Sequence, residues 1–248
     1  MNITGNTILI TGGATGIGFC LAEALIKHNN TVIICGRRQD KLDEAKSKLP
    51  EAHYIQWDVS DRTMAKEMVS KLIAQFPQLN MLINNAGMQY EVDFTQGEND
   101  LKGLEELNIN LEAPMRLCAL FIPHLRTLPS SAIMNVSSGL GFVPLSIMPV
   151  YCATKAALHS FSLSLRHQLK NTSIKVFEMI PPIVDTELDR GARDARGMKD
   201  RGISPELMAQ VTLEGMEKDE LEIAHGFSKI SLSAAQAAFG EAFKRMNP

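Results

Sequence analysis

Aromatic and sulfur chemistry are scarce in this chain, which has one tryptophan, three tyrosines and four cysteines among 248 residues. Cys20, Cys35, Cys118 and Cys152 never come within C-x-x-C spacing, so no metal site is expected. Each lies in an apolar segment and reads as a small buried hydrophobe, which fits a reducing, cytoplasmic setting. No apolar run approaches the ~20 residues of a membrane-spanning helix, so no membrane partner is expected. Met1 to Gly5 runs directly into the first apolar run, which argues against a signal peptide. A formal net charge of −3 supplies no broad basic surface, so nucleic acid is not an expected partner. Linkers, internal repeats and low-complexity segments are also missing, and residues 1–248 read as a single domain.

What the chain does have begins with Thr7 to Gly18, T-I-L-I-T-G-G-A-T-G-I-G. Thr7 to Thr11 is a short β-branched run suited to a strand buried on both faces. Gly12, Gly13, Gly16 and Gly18 follow, and then the helical pattern Phe19, Leu21, Ala22, Leu25, Ile26. A strand that turns through glycines into a helix aims free N–H groups and the helix dipole at one point, where a phosphate is favoured. The alternative is a tight loop without a ligand. Thr31 to Cys35 is a second buried strand, followed by Arg37 and Arg38. Dinucleotide folds commonly place an acid near this point for the ribose 2′-hydroxyl. Two guanidiniums stand here instead, which predicts a preference for the 2′-phosphorylated cofactor NADP(H), with NAD(H) possible. A solvated start to the next helix is the plainer reading.

Further strands are expected at His53 to Trp57, Met81 to Ile83, Ala132 to Val136, Lys175 to Ile180 and Leu221 to Ala224. Asp58 follows the third strand; it could meet adenine, or it or Asp61 could cap the helix Arg62 to Phe76. Asn84-Asn85-Ala86-Gly87 follows the fourth, where small residues admit a flat ligand and amides tie neighbouring strands. One long helix is expected from about Asn99 to Leu125. Pro114 inside it has no N–H for the Asn110 carbonyl, which leaves either a water site or a packing kink. Ser137 and Ser138 end the fifth strand.

Tyr151 and Lys155 open a helix that runs to about Leu169, and residues four apart share a helical face. A cation about 4 Å from a phenol contributes roughly 4 kcal/mol at an effective dielectric near 20. That is enough to bring a tyrosine pKa from ~10 towards neutrality. Glu187 to Gly202 is rich in charge and poor in apolar periodicity, and residues 187–203 read as a lid. Ser204 and Pro205 open a helix to about Met216, and Ala234 to Met246 forms a last one. The alternation of strands and helices implies an α/β fold, a doubly wound parallel sheet with helices on both faces.

In this order, Thr11-Gly12-x-x-x-Gly16-x-Gly18, Asn84-Asn85-Ala86-Gly87, Asn110, Ser138 and Tyr151 with Lys155 resemble the short-chain dehydrogenase/reductase family. Residues 149–170 and the Pro181-Pro182 pair resemble most its DltE-type oxidoreductases. The resemblance implies a Rossmann-like fold and hydride transfer between a nicotinamide cofactor and a small-molecule carbonyl or alcohol. It implies a catalytic tetrad: Tyr151 as proton donor or acceptor, Lys155 lowering its pKa and holding the nicotinamide ribose, Ser138 on the substrate oxygen, and Asn110 binding a relay water through its main chain. It places the cofactor on Gly12, Thr15, Gly16, Ile17 and Gly18, on Arg37 and Arg38, and on Asp58 and Val59 at the adenine. Asn84, Ala86, Gly87, Tyr151, Lys155, Pro181, Val184 and Thr186 complete that set. A homodimer or homotetramer is also implied. Pro182 departs from the family's proline-glycine, and it cannot take a positive φ. Met88, Tyr90, Leu140, Phe142, Pro144 and Met148 are expected to line an apolar substrate pocket. The rival readings are a cofactor-binding sensor or scaffold without turnover, and an isomerase or epimerase that uses bound nicotinamide transiently.

Overall fold

A computed structural model describes residues 1–188 and 190–246, with side chains except at 98–102, 190, 192 and 238–246. The first half contains β1 (Thr7–Thr11), α1 (Gly16–Lys27), β2 (Thr31–Gly36), α2 (Gln39–Lys48), β3 (His53–Gln56), α3 (Ala65–Gln75) and β4 (Leu79–Asn84). A 3-10 stretch (Phe94–Leu104), the single turn α4 (Glu105–Leu107), a π turn (Asn108–Glu112) and α5 (Ala113–Leu125) follow. The rest comprises β5 (Ser131–Val136), α6 (Pro149–Gln168), β6 (Ile174–Ile180), α7 (Arg190–Ala195), α8 (Pro205–Glu217), β7 (Glu222–Ala224) and α9 (Phe227–Met246).

The seven strands form one sheet in the order β3-β2-β1-β4-β5-β6-β7, and every pairing is parallel. Its interior strands are apolar on both faces because helices cover both. Ile8, Ile10, Ile34 and Met134 pack with Leu21 and Leu25 of α1 and with Met208 and Leu213 of α8. Leu9, Ile33, Leu82 and Ile133 point the other way, onto Val69 and Leu72 of α3, Leu117 and Phe121 of α5, and Leu165 of α6. Each such side chain contributes roughly 1.5–3 kcal/mol by leaving water. The chain reverses direction across the sheet between β1 and β4, and the crevice at that switch point is where open α/β sheets bind ligands.

The structure corrects four local expectations. The helix foreseen over 99–125 is broken into 3-10, α, π and α pieces. The π turn sits at Asn110, four residues before Pro114, where the missing N–H interrupts α-helical bonding. The segment after Thr186 contains the short helix α7. α9 begins at Phe227, directly after Gly226 in the left-handed region at φ +55°, rather than at Ala234. Neither Asp58 nor Asp61 caps α3, whose N-cap position is Met64; they close local turns onto Ser60 and Thr63. Among the described residues no helix is long and apolar enough to cross a membrane.

Candidate active site

The turn after β1 is held by the residues that follow β4. Thr11 Oγ1 accepts from the Asn85 and Ala86 N–H groups at 3.0 Å each, and Asn85 Nδ2 donates to the Thr11 and Gly12 carbonyls at 3.0 Å each. Gly12 has φ +63°, and a Cβ there would stand 2.8 Å from Ala86 Cα. A Cβ on Gly18 would stand 2.5 Å from Asn85 Nδ2. These glycines therefore admit the close approach of the loop after β4. Thr15, the N-cap of α1, makes no side-chain cap bond, so its hydroxyl does not consume the first-turn N–H donors.

A cleft of about 320 Å³ opens above this turn and runs across the carboxyl ends of the strands. One end is lined by Arg37, Arg38, Lys41, Trp57, Asp58 and Val59. Asp58 is oriented by Ser60, whose N–H and hydroxyl donate to Oδ1 at 2.9 and 2.7 Å. Arg38 lies 4.0 Å from Glu187. The indole N–H of Trp57 is buried without a partner.

At the other end Tyr151 and Lys155 share one face of α6, and both line the cleft. Lys155 Nζ donates to the Val136 carbonyl at 2.8 Å and lies 5.5 Å from the centre of the Tyr151 ring. Burial brings Lys155 down to about 8; the carboxylates of Glu106 and Glu178 oppose that fall. A Cβ added to Gly87 would lie 3.2 Å from Asn110 Oδ1 and 3.8 Å from Lys155 Nζ, so the three positions are close neighbours. The Asn110 amide is committed to Met88, accepting its N–H at 2.9 Å and donating to its carbonyl at 2.8 Å. The same amide also donates to Thr154 Oγ1 at 3.3 Å.

The two serines are chemically distinct. Ser137 donates to the buried Glu178 Oε1 at 2.5 Å. Ser138 Oγ accepts from the Leu140 N–H at 3.1 Å, which leaves its own O–H to donate. Glu178 Oε2 pairs with His159 Nδ1 at 2.8 Å. Burial alone would lower the His159 pKa, but that carboxylate raises it overall. His159, Glu178 and Glu222 bring ligand atoms within 4.8 Å of one another, yet Ser137, His159, Arg166 and Gln236 already occupy the carboxylate oxygens.

The cleft gathers Gly12, Thr15, Gly16, Ile17, Arg37, Arg38, Asp58, Val59, Ala86, Gly87, Tyr151, Lys155, Pro181 and Thr186 of the residues expected to bind cofactor. It does not gather Gly18, Asn84 or Val184. Gly18 serves helix packing, and Val184 packs in the core and bridges to Ile203. The Asn84 side chain turns inward and donates to Asn135 Oδ1 at 2.8 Å, because the two asparagines are register partners on β4 and β5. Lys41 and Trp57 belong to the lining but carry no motif; a basic residue one helical turn past Arg37 and Arg38 was the available signal for Lys41. The glycine turn in the lining and the cations at one end of the cleft suit a dinucleotide.

Of the four residues expected to be catalytic, Tyr151 and Lys155 line the cleft, whereas Ser138 and Asn110 are not in its lining and Ser137 is. A doubly wound parallel sheet with a glycine turn at its switch point, and with a tyrosine and a lysine of α6 lining the same cleft, defines a dinucleotide-dependent oxidoreductase of the Rossmann-like class. Residues 6–197 match the short chain dehydrogenase family, and the chain belongs to it. It is an NAD(P)-dependent dehydrogenase/reductase. The uncharacterized oxidoreductase DltE of Bacillus subtilis is 48% identical over 248 residues, which cover 100% of this chain and 98% of that protein. A short-chain dehydrogenase from Sphingobium yanoikuyae, solved in complex with NADPH, superposes with TM-score 0.81 at 25% identity and covers 95% of both chains. A short chain dehydrogenase/reductase from Burkholderia phymatum, solved with NAD, superposes with TM-score 0.84 at 18% identity, covering 100% of this chain and 97% of that one.

Proposed function

We propose that the protein interconverts a small-molecule carbonyl and alcohol with NADP(H) as the preferred cofactor. The observation that carries the reading is the placement of Lys155 Nζ 5.5 Å from the Tyr151 ring, inside the cleft that the glycine turn opens. The nicotinamide supplies or accepts the hydride when bound. In the reducing direction Tyr151 Oη gives its proton to the substrate oxygen, and Ser138 hydrogen-bonds the same oxygen as negative charge develops there. In the oxidising direction both steps reverse. Lys155, held against Val136, favours the phenolate and so lets Tyr151 exchange a proton near neutral pH. The Asn110 main chain would seat a relay water beside Lys155, and the π turn supports this because it opens the backbone there.

Arg37, Arg38 and Lys41 support a 2′-phosphate at the other end. Residues 187–203 act as the substrate lid of a single domain spanning 1–248; an ion pair of Arg196, just past α7, with Glu91 at 2.8 Å supports this by tying the segment to the chain after β4. Exposed Leu104, Leu107 and Met115 support assembly as a homodimer or homotetramer. The test is NADPH oxidation with a panel of aldehydes and ketones, comparing wild type with Tyr151→Phe. Loss of roughly 10²-fold or more in kcat is expected. Tight NADPH binding with no turnover, unchanged by the substitution, would make the protein a sensor instead.

A further inference from the structure

Val59 and Ile109 both line the cleft, and both belong to the same apolar cluster. They come from separate parts of the chain. Val59 lies in the loop after β3, whereas Ile109 lies in the π turn. Apolar contact is non-directional, so it does not by itself fix a loop backbone. A directional tie spans the two segments. Arg116, on α5, donates from Nη2 to the Val59 carbonyl at 2.6 Å. Its Nη1 donates to Oε1 of Glu112, the last residue of the π turn. One planar guanidinium thus joins the Val59 backbone to the turn that carries Ile109. Asp58, next to Val59, also lines the cleft, so a shift of this backbone would move two lining residues.

Arg62 makes a parallel tie. Its Nε donates to Glu112 Oε2 at 3.1 Å, and its Nη2 donates to Asn108 Oδ1 at 3.3 Å. Exposure separates the two arginines. The Arg62 side chain is 65% exposed, and a surface ion pair of that kind adds little. The Arg116 side chain is 16% exposed, so water competes little for its donors. The Arg116 Nε–H is buried with no hydrogen-bond partner, which is a net cost. A methionine would follow the same course without that cost. The two outer nitrogens are therefore what a guanidinium contributes at this position.

We infer that Arg116 is a positioning residue for the cofactor: by tying the Val59 carbonyl to the π turn, it fixes the part of the cleft wall that receives the adenosine half of the dinucleotide. The inference rests on the reading that NADP(H) lies in the cleft with its adenine at this end. Tyr151 and Lys155 lie at the other end, so loss of Arg116 falls on cofactor affinity and not on the hydride step.

Calorimetric titration of NADPH, NADH and 5′-AMP onto wild type, Arg116→Met and Arg62→Met tests it. The 5′-AMP probe has no 2′-phosphate and no nicotinamide, so it reports on the adenosine wall alone. Arg62→Met removes the same charge from the same carboxylate, and so corrects for general attraction of anions. Arg116→Met should weaken all three ligands by a common factor of about tenfold, and Arg62→Met by less than about twofold. In turnover the loss should appear in the KM for NADPH rather than in kcat. Unchanged 5′-AMP binding in Arg116→Met, an equal loss in Arg62→Met, or a loss confined to kcat overturns the role of Arg116. Should Arg116→Met fail to fold, Glu112→Ala decides, because it frees the guanidinium while removing a negative charge. Weaker 5′-AMP binding then supports the inference, and unchanged binding overturns it. A wild type that binds NADPH but reduces no carbonyl compound refutes the catalytic reading and leaves the Arg116 comparison standing. A wild type that binds none of the three ligands overturns both.

Discussion

Replacing Lys155 by methionine should make the protein more stable while abolishing its activity. The lysine is 4% exposed, and burial lowers its pKa from an ordinary 10.5 to about 8. That gap corresponds to on the order of 3 kcal/mol spent on keeping the folded state charged at neutral pH. Methionine follows the course of the lysine stem and carries no charge. It forfeits the bond to the Val136 carbonyl, which costs about 1 kcal/mol. The net expectation is a gain of about 2 kcal/mol at pH 7. The sign depends on pH in a definite way. An unfolded lysine holds its proton up to its ordinary pKa, whereas the folded one releases it near 8. Between those values the unfolded chain binds more protons, so wild-type stability rises with pH across that interval. The advantage of Lys155→Met is thus full below pH 8 and shrinks as pH rises above it. Urea unfolding followed by the fluorescence of the single tryptophan, at pH 7 and pH 9.5, measures both effects. A variant less stable than wild type at pH 7, or an advantage equal at the two pH values, would refute the claim that this lysine is held charged at a cost.

Further outcomes follow from the same site. Arg37→Ala with Arg38→Ala should weaken NADPH binding by roughly tenfold or more and NADH binding little, read from quenching of Trp57; equal losses would remove the 2′-phosphate reading. Ser138→Ala should lower kcat by roughly 10²-fold or more with little change in melting temperature. Ser137→Ala should do the reverse, costing on the order of 1–3 kcal/mol in stability because Glu178 Oε1 loses its donor, and sparing most of the activity. Exchange of those two phenotypes would mean that Ser137 is the serine facing the substrate.

Strands were legible wherever an unbroken apolar run met covered sheet faces. β1 is Thr7–Thr11 as read, and β2, β5 and β6 differ by one residue at an end. Ser204 caps α8 as its position before Pro205 suggested, accepting from the Leu207 N–H at 3.2 Å. The segment before Leu125 misled because its leucines keep helical spacing while Pro114 breaks the bonding that spacing presumes. The cleft followed from motifs at strand ends, since the parallel topology brings those ends together. Asn84 was misplaced because adjacent residues on a strand point to opposite sides, so Asn84 and Asn85 cannot play the same part. Glu106 and Glu178 left no trace in the pattern: a lone acid on an amphipathic stretch reads as solvent-facing until the packing shows it enclosed.

The amide contact between Asn84 and Asn135 has a consequence for how the sheet assembles. Asn135 passes the contact on to Ser162 of α6 at 2.9 Å, and both asparagines are buried. A one-residue slip of β5 along β4 would carry Asn135 to the opposite layer, among Met81, Ile83 and Met134, with no acceptor for its amide. Neighbouring apolar strands tolerate such slips more readily. This pair of polar groups therefore acts as an alignment pin, and it fixes how far the serine loop after β5 projects beyond the Asn85-Ala86-Gly87 loop after β4.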